Sequence, residues 1–482
     1  MNFGLVARVL GNLLLIEGAI LAVPLGVSLS FRERSSVFGF LLSMGILGLI
    51  GLFLSNIPVK SSRLKTREAM VIVTVGWVVA ALFAALPFVL SGSVSSFTDA
   101  FFEAVSGLTT TGASAIRNVE ALPKGILFWR SLMHWVGGMG ILVLTLAILP
   151  TLGLVGSQMF KAESPGPSPD RFTPRIAATS KILYAIYGVL TAIILFAVRA
   201  SGVSWFESFI LAFGTVGTGG FGLYNDSLTR HSVNSPLILV LAAAMFLAGV
   251  NFSLYYDLIK GRWRHALADV ELRLYIIIAA ICVLGISLNL YGRTYASFGD
   301  TVKHALFQVG SVMTTTGYST TDFDLWPSFS KGILFTLMFV GASAGSTSGS
   351  VKVVRLLIAA KVVKREVAKV LHPQAAQPVV INGRVMPESV VQGVVGFLLL
   401  YIGVFGVGSL LISLQGLDMI SSMSAVASTL GNIGVGFGSV GPSGSYAVLS
   451  PVSKLLLSFF MLLGRLELFT MLAVLSPGFW KE

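Results

Sequence analysis

The stretch Thr109-Thr110-Thr111-Gly112-Ala113-Ser114 decides the fold of this 482-residue chain, because related stretches return three more times. The second copy is TVGTGGFG at 215–222, the third is TTTGYS at 314–319, and a looser fourth is TLGNIGVG at 429–436. Aligning one glycine from each copy, at 112, 219, 317 and 434, gives separations of 107, 98 and 117 residues. Four similar stretches at equal places in four similar units predict one ring of four loops. We call them signature loops 1 to 4.

The composition of the chain is that of an integral membrane protein. Hydrophobic residues make up 55% and charged residues only 11%, whereas soluble domains carry about 25% charged residues. The single cysteine, Cys282, excludes a disulfide framework. The five histidines do not have the spacing of metal ligands, and no nucleotide-binding glycine motif follows a strand. We therefore expect a transporter without a cofactor, and not an enzyme.

Ten apolar segments are long enough to cross a bilayer as helices, at about 20 residues per crossing. They are 5–30, 37–57, 70–92, 125–151, 181–200, 235–258, 274–292, 331–359, 388–414 and 449–475. Lys and Arg cluster in alternate connections, at 58–69, 156–181, 259–273 and 360–387. By the positive-inside rule these connections and both termini are cytoplasmic. The net charge of +12 thus indicates orientation in a bilayer, and not nucleic-acid binding.

The signature loops fall in the connections on the opposite side, so each must dip into the bilayer and return. A helix candidate of about 10–13 residues, too short to span, precedes each loop. The four candidates are 97–108, 205–214, 300–312 and 417–428, and their early acids are Asp99, Glu207, Asp300 and Asp418. An acid there suits the positive N-terminal end of a helix, so that the negative end faces the loop. Simple capping of exposed helices would also explain the acids.

The predicted fold is an all-α integral membrane protein with four parallel helix–pore-loop–helix repeats around a pseudo-fourfold pore. Two extra transmembrane helices precede the repeats. The predicted units are 1–69 for the two N-terminal helices, then repeats at 70–160, 161–265, 266–375 and 376–482.

A ring of backbone carbonyls can replace the hydration shell of a cation without charged side chains. Turning successive carbonyls toward one axis requires left-handed backbone angles, which glycine adopts at least cost. The candidate filter residues are Thr110, Thr111, Gly112, Gly217, Thr218, Gly219, Thr315, Thr316, Gly317, Asn432, Ile433 and Gly434. The threonines can add hydroxyl oxygens or brace the loops from behind. Small-residue turns at helix packing sites are the structural alternative.

The chain resembles the Trk/Ktr/HKT superfamily of potassium transporters, and most of all the ten-helix bacterial Trk membrane subunit. The resemblance rests on TTTG at 109–112, WRS at 129–131, GGMG at 137–140, TGGF at 218–221 and the stretch 341–355. It implies K⁺ uptake, with K⁺ preferred because Gly112 stands where sodium-permeable members have serine. Signature loop 4 departs from the family pattern at Asn432 and Ile433.

The resemblance also implies a bacterial inner-membrane homodimer with a cytosolic nucleotide-binding ring subunit docked on its basic loops. One alternative is the K⁺-conducting subunit of an ATP-driven potassium pump. Another is a Na⁺-coupled solute carrier, although its repeats would be inverted and two in number.

Two further stretches interrupt predicted spans. The first consists only of small residues: Gly341, Ala342, Ser343, Ala344, Gly345, Ser346, Thr347, Ser348, Gly349 and Ser350. Such a run predicts a break in the helix, tolerated only against protein or water, and the resemblance implies an intramembrane gating loop. The second is Arg465 in the last span, where a charge faces a cavity or a partner. We expect Arg465 to hold cations back in the pore, or else to pair with Glu467.

Overall fold

The N-terminal part of the computed structural model is a pair of apolar helical segments. The structure describes residues 1–59, 65–140, 176–373 and 377–481. The first segment is α1 (Phe3–Ile20), continued by α2 (Ala22–Ser30), and the second is α3 (Arg34–Ser55). Both are long and apolar enough to cross a membrane. They correspond to the two extra helices that the sequence predicts before the repeats.

The rest of the described chain is almost wholly helical. The first predicted repeat contains α4 (Thr66–Ala84), which begins before the predicted boundary at 70, and then α5 (Leu86–Leu90), α6 (Phe97–Leu108) and α7 (Lys124–Gly138). The second contains α8 (Ile176–Ala200), α9 (Trp205–Val216), α10 (Ser235–Ala248), α11 (Phe252–Ile259) and α12 (Trp263–Ala268), the last of which crosses the predicted boundary at 265. The third contains α13 (Val270–Leu290), α14 (Phe298–Met313), α15 (Ser328–Leu337) and α16 (Val353–Leu371).

The fourth unit begins with a β-hairpin, β1 (Val380–Ile381) and β2 (Arg384–Val385), the only sheet in the described residues. It continues with α17 (Glu388–Ser413), α18 (Met419–Leu430), α19 (Pro451–Arg465), α20 (Leu468–Leu475) and α21 (Pro477–Trp480). Short 3₁₀ turns lie at Val119–Ala121, Thr229–His231, Phe323–Leu325, Gly438–Val440 and Tyr446–Val448. The end of the predicted span 125–151 and most of the connection 156–181 lie outside the described residues.

Four pore helices, α6, α9, α14 and α18, correspond to the four short helix candidates, and their bounds agree within two residues. Each begins at a polar N-cap, as helix starts with unsatisfied N–H groups require. Ser96, Ser204 and Ser297 accept a hydrogen bond from the N–H of the acid three residues later. Asp418 is itself the cap of α18 and accepts from the N–H of Ser421.

Two of the predicted spans, 235–258 and 449–475, are not single continuous helices, because the structure bends each of them sharply. The pair α10 and α11 is bent by 92°, and the pair α19 and α20 by 119°. At the first bend the Asn251 side chain caps the new helix, and at the second Glu467 has a left-handed φ of 64°. In the described part of the chain, six helices have spanning length and composition, or eight if each bent pair is one span.

The core lies around the pore helices, and the outer helices present apolar side chains to the surroundings. Val105 of α6 and Val309 of α14 are fully buried. By contrast, Leu49 on α3 is 75% exposed and Leu414, directly after α17, is 82% exposed. Such wide apolar exposure is that of a surface in contact with lipid.

Candidate cation pore

All four pore helices end in the same hydrogen-bonded turn. The N–H groups of Thr111, Gly219, Thr316 and Ile433 each donate to the carbonyl five residues earlier, at 2.8 Å in every case. The preceding residues, Thr110, Thr218, Thr315 and Asn432, are left-handed, with φ between 53 and 58°. This is the Schellman helix end, where glycine is usual. A side chain there costs roughly 1–2 kcal/mol, so these positions keep threonine or asparagine against the local backbone preference.

A left-handed glycine lies two residues after the left-handed threonine or asparagine of each turn. The four are Gly112, Gly220, Gly317 and Gly434, with φ of 82, 78, 81 and 89°. In signature loop 2 the equivalent residue is therefore Gly220, and the alignment on Gly219 was wrong by one position. Two consecutive glycines fit either register in sequence, whereas the spacing from the left-handed Thr218 allows only Gly220.

The four glycines bring the signature loops into one closed ring. A Cβ atom on Gly112 would overlap the carbonyl oxygen of Gly219 in loop 2, and one on Gly220 would overlap that of Thr316 in loop 3. A Cβ on Gly317 would overlap the oxygen of Ile433, and one on Gly434 that of Thr111, which returns to loop 1. Each glycine thus lies against a carbonyl of the next loop in the order 1, 2, 3, 4 and back to 1. Such a ring of backbone oxygens can coordinate a dehydrated monovalent cation.

The threonine hydroxyls in loops 1 and 3 brace the ring from behind. The Thr109 hydroxyl donates to the carbonyl of Val105 at 2.7 Å, and the hydroxyls of Thr109 and Thr111 are 2.8 Å apart. Thr314 and Thr316 repeat the arrangement in loop 3, with hydroxyls 2.7 Å apart. Of the two roles considered for the Thr111 and Thr316 side chains, the hydrogen bonds support bracing.

Asn432 joins signature loop 4 to its neighbours. Its side-chain amide donates to the Thr111 hydroxyl at 3.0 Å and to the carbonyl of Met461 at 2.9 Å. The looser sequence of loop 4 therefore keeps the shared backbone turn, and the longer asparagine side chain reaches across to loop 1.

Gly217 and His134 pack together at the back of signature loop 2. Gly217 caps α9, and a Cβ there would overlap the backbone of His134. The His134 ring is buried and stacks on Phe221 with centroids 4.3 Å apart. An intramembrane serine protease would need a serine paired with a buried histidine, and Ser348 and His134 are the candidates for such a pair. The Ser348 hydroxyl is instead bonded to Ser346 and Lys352 in the loop after α15.

The acids at the N-terminal ends of the pore helices have nearby basic or capping partners. Asp99 accepts from Lys454 at 2.6 Å, and Glu207 lies 2.8 Å from the His231 ring. The hydrogen bond from Lys303 lowers the pKa of Asp300, and the hydrogen bonds from Ser421 lower the pKa of Asp418. These contacts fit both interpretations of the acids, helix capping and a favourable charge at the positive end of each pore helix.

Sequence reasoning did not identify a buried ion pair that joins loops 1 and 2. The Glu103 carboxylate, fully buried, accepts from the Arg130 guanidinium at 2.7 Å, and also from Ser114 and the N–H of Ala115. Arg130 donates further to the carbonyl of Gly222. A charged residue in the middle of each of two apolar helices was the available signal.

We expect Glu103→Ala to destabilise the protein by about 3–5 kcal/mol, because it leaves the Arg130 charge buried without its carboxylate. Thermal unfolding in detergent measures the loss, and Glu103→Ala with Arg130→Met should restore part of it. The matched control is Glu120→Ala. Its ion pair with Arg230 is 40% exposed on both sides, so it should cost at most about 1 kcal/mol. Equal losses in the two variants would contradict the assignment.

The stretch 341–350 is non-helical, as the sequence predicts, and it contacts the C-terminal ends of pore helices. The break extends from Met338 to Lys352, between α15 and α16. The N–H of Gly349 donates to the Thr315 hydroxyl at 2.7 Å. The Thr347 hydroxyl donates to the carbonyl of Val216, at the end of pore helix α9. Buried small residues thus occupy the space next to two of the four pore-helix ends.

Arg465 is the last residue of α19, at the bend, and not in the middle of a straight helix as predicted. Its guanidinium donates to the carbonyl of Thr347 at 3.0 Å and to those of Gly137 and Gly138 at the end of α7. The expected alternative partner, Glu467, is bonded to Arg355. Arg465 and the loop line one cavity of about 90 Å³. Arg465 therefore joins the loop to the C-terminal end of α7.

Comparison with known proteins gives matches along the whole chain. The family model TrkH, described as cation transport protein, matches residues 49–478. The Trk system potassium uptake protein TrkH of Escherichia coli (strain K12) is 37% identical over 494 residues, covering 100% of both chains. TrkG of the same strain is 31% identical, covering 99% of this chain and 98% of TrkG. The crystal structure of the potassium transporter TrkH from Vibrio parahaemolyticus matches with a TM-score of 0.90 at 34% identity, covering 100% of both chains.

Proposed function

The chain belongs to the TrkH family of cation transport proteins, and we propose that it takes up potassium across the membrane. The observation that carries the proposal is the closed ring of four loops. In it, each left-handed glycine lies against a carbonyl of the neighbouring loop, and these carbonyls belong to Thr111, Gly219, Thr316 and Ile433. Relatives named potassium uptake proteins over the full length support K⁺ as the ion.

The proposed path has a selective part and a closing part. K⁺ loses its water at the ring, whose carbonyl oxygens and pore-helix C-terminal ends replace the hydration shell. It then passes the gating loop, 341–350, and Arg465. The loop closes the path by filling it, and the arginine by its positive charge, since a cation approaching it is repelled.

The proposed setting is an inner-membrane homodimer with both termini in the cytoplasm. The basic side of the chain supports this orientation, because Lys260, Arg262 and Arg264 lie before α13 and further Lys and Arg residues lie on α16. The same basic surface would receive a cytosolic nucleotide-binding ring subunit. The sequence has no nucleotide-binding motif, so any regulation of transport by a nucleotide would come from this partner subunit.

Cation flux in proteoliposomes tests the proposed function. We expect K⁺ and Rb⁺ to permeate, and Na⁺ and Li⁺ to permeate at least about tenfold more slowly, a ratio that a difference of 1.4 kcal/mol produces. Empty liposomes are the control for leak. Na⁺ flux equal to K⁺ flux would overturn the potassium assignment while leaving a cation pore.

A further inference from the structure

Glu271, in the first turn of α13, joins the gating loop to the start of α16. One oxygen of its carboxylate, Oε1, accepts from the N–H of Ala344 at 2.7 Å and from the N–H of Val354 at 3.1 Å. Ala344 precedes the tip of the loop and Val354 follows its end, so a single side chain fixes two points ten residues apart. The side chain is buried.

Both hydrogen bonds end on the same carboxylate oxygen of Glu271, so Ala344 and Val354 cannot move apart without breaking at least one of them. Sequence gives no hint of the contact, because Glu271 and the loop are more than 70 residues apart.

The start of α13 is in turn bonded to the β-hairpin between α16 and α17. The hairpin closes with Asn382 and Gly383, both left-handed, as an Asn-Gly hairpin turn requires. The Asn382 side chain accepts from the N–H of Val270 at 3.0 Å and donates to Asp269 at 2.7 Å. The hairpin tip therefore contacts the two residues directly before Glu271.

We propose that Glu271 is a positioning residue that holds the gating loop closed, and that the hairpin sets its position through Asn382. Displacing the hairpin would move the start of α13, and Glu271 would carry the gating loop and the start of α16 with it. The hairpin lies on the basic side of the chain, so a cytosolic partner could regulate the gate there without reaching the pore. The inference rests on the proposed function, because it assumes that 341–350 closes a K⁺ path.

Rb⁺ uptake into proteoliposomes containing the full-length chain tests the role of Glu271. We expect Glu271→Ala to raise uptake about tenfold, which corresponds to 1.4 kcal/mol. Glu271→Gln keeps one oxygen acceptor but replaces the other carboxylate oxygen by an amide NH₂, so its uptake should be intermediate. The matched control is Glu366→Gln, because Glu366 is 52% exposed and pairs with Lys369 on α16, away from the loop. Its uptake should equal that of the wild type.

A double-mutant cycle tests the link to the hairpin. Asn382→Ala should raise uptake several-fold in the wild-type background and add nothing in the Glu271→Ala background, because both changes act on one contact path. Independent, additive effects would overturn the hairpin link. If Glu271→Ala fails to fold, the cycle can be run with Glu271→Gln, and Asn382→Ala should then add less than it does in the wild-type background.

Thiol labelling of the loop separates gate opening from general damage. Ser346→Cys, placed in a Cys282→Ser background, should react faster with a water-soluble thiol reagent when Glu271 is replaced by Gln. Unchanged labelling and unchanged Rb⁺ uptake in the Glu271 variants would overturn the inference while wild-type K⁺ flux stands. A wild-type chain that carries no K⁺ would instead overturn the proposed function.

Discussion

Gly112→Ala is expected to lower K⁺ flux in proteoliposomes by roughly 100-fold, which corresponds to a barrier raised by about 3 kcal/mol. Two effects act together. A side chain at φ 82° is strained, and its Cβ would overlap the carbonyl oxygen of Gly219 in the neighbouring loop. Loops 1 and 2 must then move apart, so the carbonyl ring can no longer match the hydration shell that it replaces. K⁺ and Na⁺ fluxes measured side by side should also show lost discrimination.

Gly416→Ala is the matched control for Gly112→Ala. Gly416 has nearly the same left-handed angle, φ 84°, but no atom lies within 4 Å of a Cβ built there. It therefore carries the backbone strain without the overlap, and its K⁺ flux should equal that of the wild type. If both variants lose flux equally, backbone strain and not the ring explains the effect.

The helical elements of the pore could be predicted from the sequence because their signals are local. Pore helix α6 has the predicted bounds 97–108, since its capping serine lies directly before it and its early acid and apolar run lie within it. The break at 341–350 could also be predicted from the sequence, because ten consecutive small residues, rich in glycine and serine, do not favour a helix. These features depend on neighbours in sequence, and the structure agrees with them.

The features that sequence reasoning missed depend on distant contacts. The contact that requires glycine at 220, with the Thr316 carbonyl, joins residues almost 100 positions apart. The bend after Arg465 follows from the left-handed Glu467, whose carboxylate is bonded to Arg355, 112 residues away in sequence. Glu103 and Glu271 were visible as charges in apolar surroundings, but their partners were not.

The geometry of the gating loop makes a deletion of residues 343–348 feasible. The two arms run side by side, because the N–H of Gly341 donates to the carbonyl of Val351 at 2.8 Å and that of Val353 to Ala342 at 3.1 Å. A short Gly-Ser link can therefore rejoin Ala342 to Gly349. The deletion leaves the Gly349 contact with Thr315 behind the ring, while it removes Thr347, which reaches Arg465.

We expect the deletion to raise K⁺ flux at least about tenfold, as removal of a 1.4 kcal/mol barrier would, with K⁺ still preferred over Na⁺. Arg465→Ala alone should raise the flux less, because the loop still fills the path. Combined with the deletion it should raise the flux further, since Arg465 otherwise keeps its bonds to the α7 carbonyls. Unchanged flux after the deletion, or a lower flux in Arg465→Ala, would contradict the barrier role. Raised flux with intact selectivity means that the ring selects the ion and that a different part of the chain stops it.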